Sequence, residues 1–441
     1  MKRLLSLLLC AVLALFCATT AQAAGVSITL TASEYALHYA FDAGAQDPFV
    51  ILEYATPAEK GWMMLYSADG HFEGDVSLTY SGAGGKTSVA LTSARTTGSI
   101  GKASTTLPKA ADYQKPTGKS NAKVTDFVLT ETPEGFHYAF NAIGTDYMLL
   151  YWRSKEQTVT QPVYPDENGH YEGDVVSELT FARTQFTVQV KSGSGSMKKE
   201  ATVRKGYQAP EAPQRQEGRL SGVTVCIDAG HQENGRFVNE PIGPGLTGST
   251  SGKGGMAQGT KTNRRESIVC LEIGMLLRDE LLRQGANVIM TREDQTTFHT
   301  NIERCEIAEA GGAQIMLRLH CNNSSNHSKR GIQVYGPLNS DYAKAVADAD
   351  TYREMGQKLL DAMKTRVGMT LAKSTGMVRL NDNYVGNNWA KMMCFLVEMG
   401  YLSNPAEEYL LVTPVYQQWL AEGMADGVYE IAVARGWVQA Q

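Results

Sequence analysis

The pattern of apolar and polar positions changes character once along this chain, near residue 219. Up to about residue 207, apolar and polar residues alternate over short runs such as Tyr35-Ala-Leu-His-Tyr-Ala-Phe41, Phe136-His-Tyr-Ala-Phe140 and Phe186-Thr-Val-Gln-Val190. A period of two sends successive side chains to opposite faces, so these runs predict half-buried strands. Asp69-Gly70 and Asn168-Gly169 stand between such runs and predict hairpin turns. Beyond 219 the apolar runs are separated by longer stretches. Strands are predicted at 223–228, 286–291, 313–319, 331–335 and 394–397, and helices over 263–285, 300–311, 340–365 and 413–435. Strands interleaved with helices imply an α/β fold, here a three-layer, mostly parallel sheet with helices on both faces.

The first part of the chain repeats itself. His38-Tyr-Ala-Phe41 recurs as His137-Tyr-Ala-Phe140, and His71-Phe-Glu-Gly-Asp-Val76 recurs at the same offset as His170-Tyr-Glu-Gly-Asp-Val175. Two matches at one offset indicate a tandem duplication. The strand density of each copy predicts two small β-sandwich-like domains, at 24–110 and 122–207, with Lys115–Asn121 between them. A Pro-rich polar linker at 208–218 leads to a domain spanning 219–441. His71 and His170 read as the polar face of a hairpin, which resists unwanted strand pairing. Exposed aromatics such as Tyr164 or Trp152 are a further candidate for polymer binding.

Composition narrows the setting. Lys2-Arg3, an apolar run from Leu4 to Phe16 and the small-residue ending Ala21-Gln22-Ala23 have the order of a secretory signal peptide over residues 1–23. The apolar run is short for a membrane span, and a soluble exported protein is expected. A net charge of -5, with both signs interspersed, offers no basic stripe for nucleic acid and no polybasic membrane patch. Cys226, Cys270, Cys305, Cys321 and Cys394 follow residue 219 without a CxxC pair, and they read as small buried hydrophobes rather than a disulfide framework.

Four polar residues stand at the ends of predicted elements in the last domain. His231 follows the strand Val223–Asp228, His320 follows the strand ending at Leu319, Glu398 follows Cys394-Phe-Leu-Val397, and Glu266 stands near the start of a helix. Two imidazoles and a carboxylate form a three-ligand set that suits zinc and leaves a position for water, and a further carboxylate beside it can take a proton. Each residue also has a plainer reading. His231 and His320 can be histidines satisfied at turns, and Asn263-Arg-Arg-Glu266 has capping-box spacing. Glu398 follows so apolar a strand that an unpaired charge there would be costly, which favours a functional role. His299 and His327 lie among Thr, Ser and Asn and read as solvated. Asn404-Pro405 followed by Glu407 and Glu408 reads as a helix start with acids against the helix dipole.

Taken together, Asp228-Ala-Gly-His231, Asn263-Arg-Arg-Glu266, Leu319-His320-Cys-Asn322 and Val397-Glu398-Met-Gly-Tyr-Leu-Ser-Asn404 resemble, in order, the motifs of the zinc-dependent N-acetylmuramoyl-L-alanine amidases, with Thr291-Arg292 and Arg304 similar to the family's arginine positions. The resemblance covers about half of the chain. It implies zinc held by His231, Glu266 and His320, Glu398 as the catalytic carboxylate, and peptidoglycan as substrate, cut between N-acetylmuramic acid and L-alanine of the stem peptide. Gln232 stands where the family has glycine, and Cys321 where it has a polar or small residue. The long Gly-rich segment 232–261 reads as a flap beside the metal or as a surface insertion. A non-catalytic wall-binding protein and a zinc peptidase acting on stem peptides are the competing functions.

Overall fold

In the computed structural model, residues 1–18, 23–25, 79, 97, 112, 114, 116–121, 133–134, 155–156, 177–184, 193–196, 205–208, 233–237, 251–254, 368–376 and 441 lie outside the described residues, and all others are described. Most of the signal-like segment, the stretch 116–121 between the repeats and parts of the 232–261 segment therefore lie outside them. The chain forms two compact units, Met1–Gly206 and Tyr207–Gln441.

Among the described residues, the first unit is all β. In chain order it contains β1 (Thr19–Gln22), β2 (Ser27–Ala32), β3 (Ala36–Asp42), β4 (Phe49–Ala55), β5 (Glu59–Tyr66), β6 (His71–Ser77), β7 (Gly85–Ser93) and β8 (Ser99–Leu107). There follow β9 (Lys123–Thr132), β10 (Gly135–Ile143), β11 (Met148–Arg153), β12 (Gln157–Val163), β13 (His170–Val176), β14 (Gln185–Lys191) and β15 (Met197–Arg204). They build sheets in the orders β1-β2-β3-β6, β13-β10-β9 and β15-β14-β11-β12-β5-β4-β7-β8. One apolar core gathers Ile28, Leu30 and Phe41 with Leu52 and Leu91, and a second gathers Phe136, Phe140, Trp152 and Phe186. Trp152 is thus a core residue, fully buried, and not an exposed binding aromatic. The long sheet is continuous because β12 pairs with β5, Val159 opposite Glu59. Buried Glu59 accepts bonds from Tyr80 N, Ser81 Oγ and Gln157 Nε2 at this junction.

The repeated motifs occupy equivalent strand pairs. In β3 and β6, His38 lies opposite Asp75, Ala40 opposite Glu73 and Asp42 opposite His71. In β10 and β13, His137 lies opposite Asp174, Ala139 opposite Glu172 and Asn141 opposite His170. The alternate residues Tyr39, Phe41, Phe72 and Val76 enter the core, so the polar set occupies the outer face. His38 Nδ1 lies 3.1 Å from Asp75 and its Nε2 lies 3.5 Å from Glu73. His71 Nδ1 lies 2.7 Å from Asp42, with its Nε2 3.6 Å from the same Glu73.

The second unit contains β16 (Thr224–Ala229), α1 (Glu266–Arg283), β17 (Asn287–Met290), α2 (Asn301–Ala310), β18 (Ile315–Asn322), β19 (Gln333–Gly336), α3 (Asp341–Val346) and α4 (Ala349–Val367). It continues with β20 (Met377–Leu380), α5 (Val385–Trp389), β21 (Met393–Tyr401), α6 (Glu407–Leu411) and α7 (Pro414–Ala434). The sheet order is β17-β16-β18-β21-β19-β20. Its neighbours run parallel except β19, which is antiparallel to β21. Gly274 of α1 lies against Ile227, Ala229 and Leu319. The alternate residues Cys226, Met316 and Cys394 pack with Cys305 and Ala308 of α2. Near-continuous apolar strands suit a sheet packed against helices. All five cysteines after residue 219 are free and buried.

The helix expected over 340–365 is two helices. Ala347 is extended, and Asp348 Oδ1 accepts from Thr351 N at 2.8 Å, which gives α4 its own start. Among the described residues, no helix is long and apolar enough to cross a membrane.

Candidate active site

Parallel strands bring their carboxyl ends to one edge of the sheet, and the four candidates meet there. His320 and Glu398 are register partners on neighbouring β18 and β21. His231 follows β16, the strand on the other side of β18, and Glu266 opens α1.

Glu266 Oε1 is the centre of the cluster. It lies 3.1 Å from His231 Nε2 and 2.9 Å from His320 Nδ1, and it accepts from Cys321 N at 3.0 Å. Its other oxygen accepts from Ala257 N at 2.7 Å. The ligand atoms of His231, Glu266 and His320 all lie within 4.8 Å of one another. The capping-box expectation gives way here. The left-handed turn at Asn263 (φ 56°) leaves Arg265 as N-cap with no side-chain cap bond, so Glu266 is the first helical residue and its carboxylate faces the histidines.

Burial opposes ionisation of Glu266, but the two adjacent imidazoles outweigh it and hold the carboxyl well below the usual range. Burial pushes the His320 imidazole down towards its neutral form, the form that ligates metals. Glu398 is displaced the other way, well above the ordinary carboxylate range, first by burial and then by the charge of Glu266. Its Oε2 is buried with no hydrogen-bond partner among the described residues. Two buried carboxylates beside a neutral imidazole call for a cation, and the donor set has the nitrogen and oxygen chemistry of a zinc site.

Beneath the site lies a buried ionic knot that sequence reasoning missed. Asp228, fully buried, accepts from Arg304 Nη1, from Arg318 Nε at 2.9 Å and from Thr291 Oγ1 at 2.8 Å. These cations hold its carboxyl far below the usual range against the cost of burial. Arg318 carried a usable signal, as the charged residue within the apolar run Ile315-Met-Leu-Arg-Leu319.

Glu407 and Glu408 stand in the first turn of α6, as expected, and they are also buried anchors. Glu407 accepts from Tyr401 N and Gly331 N, both at 2.8 Å. Glu408 accepts from Thr260 Oγ1 at 3.0 Å and Lys261 N at 2.9 Å. Asn404 does hold the chain entering α6, through Ala406 N and Glu407 N. The described arms of the 232–261 segment are pinned. Glu240 accepts from Ile302 N at the start of α2, Trp389 Nε1 donates to Pro241 O, and Ala257 is tied to Glu266. His327 is exposed, as expected, and its Nδ1 also lies 2.7 Å from Ser403 O. A cleft of about 950 Å³ opens over the site, lined by His231, Glu266, His320 and Glu398 and by Glu240, Arg304 and Tyr384.

An α/β sheet edge that gathers three metal-type donors and a buried carboxylate under an open cleft has the make-up of a hydrolase site. Residues 225–430 match the family model described as N-acetylmuramoyl-L-alanine amidase. The germination-specific N-acetylmuramoyl-L-alanine amidase of Bacillus subtilis is 25% identical over 230 residues, covering 49% of this chain and 83% of that protein. The probable cell wall amidase LytH of Staphylococcus aureus is 26% identical over 218 residues, covering 48% of this chain and 60% of that one. A solved N-acetylmuramoyl-L-alanine amidase from Clostridium difficile 630 superposes with a TM-score of 0.38 at 24% identity, over 48% of this chain and 96% of that one. The second unit thus carries an N-acetylmuramoyl-L-alanine amidase domain, a hydrolase of the amide bond between N-acetylmuramic acid and L-alanine in peptidoglycan.

Proposed function

We propose that His231, Glu266 and His320 hold zinc, that Glu398 is the catalytic acid and base, and that the chain is exported to act on the cell wall. The carrying observation is the convergence of three donor atoms within 4.8 Å of one another, beside a buried carboxylate oxygen that has no partner among the described residues. When bound, zinc supplies Lewis acidity at the carbonyl to be cut.

The chain's own groups do the rest. Ala257 N and Cys321 N orient Glu266, so its carboxylate stays aimed at both imidazoles. Glu398 takes a proton from the attacking water as oxygen bonds to the lactyl carbonyl carbon. It returns that proton to the alanine nitrogen as the carbon–nitrogen bond breaks. Burial and the neighbouring Glu266 raise the Glu398 carboxyl, which favours its holding the proton between the two halves of that exchange.

The rest of the reading is architectural. The second unit is a three-layer domain, with alternate strand residues facing α1 and α2. The first unit is two related β domains that tether the enzyme to its polymer. Cleavage after Ala23 would remove β1 and leave β2 as the edge of its sheet.

Incubation of the full-length protein with purified peptidoglycan, followed by mass spectrometry, tests the function. The expected products are stem peptides with a free L-alanine amine and intact glycan strands. Glu398→Gln should retain about one zinc and lose turnover by roughly 10²–10⁴-fold. Cleavage inside the peptide, new reducing ends, or full activity in that variant would overturn the proposal.

A further inference from the structure

His231 occupies a backbone conformation that a residue with a Cβ disfavours. Its φ is 57°, in the left-handed region, directly after the strand that delivers it. Something must hold it there, because the same backbone turn presents Nε2 to Glu266 at 3.1 Å.

The contacts that do so come from arginines on other elements. Arg304 Nη2 donates to His231 O at 3.2 Å and to the side-chain oxygen of Gln232, while its Nη1 donates to Ala229 O at 2.9 Å. Arg292 adds bonds to Ala229 O at 2.7 Å and Gly230 O at 2.8 Å. Of the two, Arg304 is the one whose bonds reach the carbonyl of His231 itself. Its guanidinium is fixed from behind by Asp228 and by a bond from Nε to His299 O at 3.2 Å. A planar fork with five donors can serve the carboxylate and the turn together, and an ammonium cannot.

We infer that Arg304 is a positioning residue for His231. It holds the left-handed turn at the angle that keeps the imidazole on the metal site, and metal affinity depends on it. This rests on the reading of His231, Glu266 and His320 as zinc ligands. It also accounts for the buried knot: Asp228 serves the site by fixing Arg304.

The test is zinc affinity, measured by competition with a chromophoric chelator on the full chain and on Arg304→Lys and Arg304→Gln. Asp228 keeps Arg318 as partner in both variants, so the buried carboxylate is never left without a cation. The expected result is affinity weakened by about 10–100-fold, as for other residues that orient a metal ligand. At saturating zinc the Lys variant should recover most of the wild-type turnover. Equal affinity within about twofold in a folded variant, against the same expectation, would overturn the inference. If a variant is unfolded without metal, the zinc-induced rise in Tm reads the affinity instead. A smaller rise than wild type's supports positioning, an equal rise overturns it, and failure to fold at saturating zinc also overturns it by making Arg304 a folding residue. Wild-type protein that binds no zinc would instead sink the metal-site reading itself, so the two failures are distinguishable.

Discussion

Gly230 leaves little room for change in the site. A Cβ there would stand 2.4 Å from Leu319 O and 2.6 Å from His320 Cε1, so the carbonyl of β18 and the ring of a ligand would both have to yield. Gly230→Ala is expected to cost about 1–3 kcal/mol of stability and to weaken metal binding, because the ring that moves is a ligand. Thermal unfolding and chelator competition measure the two effects, and a variant with unchanged metal affinity would show that His320 has slack. The sequence showed the glycine as a turn former beside a histidine. It could not show the clash, which belongs to the packing of β16 against β18 rather than to the turn. Glu398 was legible because a charge beside an apolar strand is costly. The same reasoning applied to Arg318 leads to Asp228, whose own position in a turn-like Asp-Ala-Gly run concealed it.

Pairs of strands and pinned segments decide what surrounds that site. Alternation of period two shows which residues of β3 and β6 face outwards, but it contains no register, and register is what puts each histidine opposite an acid. The same limit explains the 232–261 segment. Glycine richness suggested freedom, while the anchors Glu240 and Glu408 act over long sequence separations that no local pattern encodes. Within the ladder of His38, Glu73, Asp75, Asp42 and His71, it is His71 that carries a pH signature. The hydrogen bond that the His71 ring donates to Asp42, helped by Glu73, raises the imidazole above its ordinary value in spite of some desolvation. A histidine raised in the folded state stabilises fully below its unfolded value of about 6.5 and loses that contribution as pH rises through the folded value. Melting of the first unit is therefore expected at a slightly higher temperature near pH 6 than near pH 8, with His71→Asn reducing the difference. The effect is small because the pair is exposed. A pH dependence identical in the two proteins would remove His71 from the account.

The molecule as a whole consists of two units of opposite architecture, and the change of period near residue 219 made that division readable. What the period could not reveal is the pairing of β12 with β5, since an edge-to-edge join leaves no mark on the alternation of either strand. The site lies entirely within the second unit, and this gives metal removal a definite thermal consequence. A metal that binds only the folded state stabilises it by about 4 kcal/mol at a thousandfold excess over Kd. For a unit of this size that corresponds to roughly 10 °C in Tm. Scanning calorimetry of the full chain, with zinc and with a chelator, is expected to show a shift of that order in the transition that carries the site. The transition of the β unit, whose described ionic contacts are histidine–carboxylate and arginine–carboxylate pairs, should hold its position. Glu266→Gln assigns the transition, because it removes the carboxylate shared by both imidazoles and should abolish the response to chelator. A chelator shift that persists in Glu266→Gln would place the stabilising metal somewhere other than at these three residues.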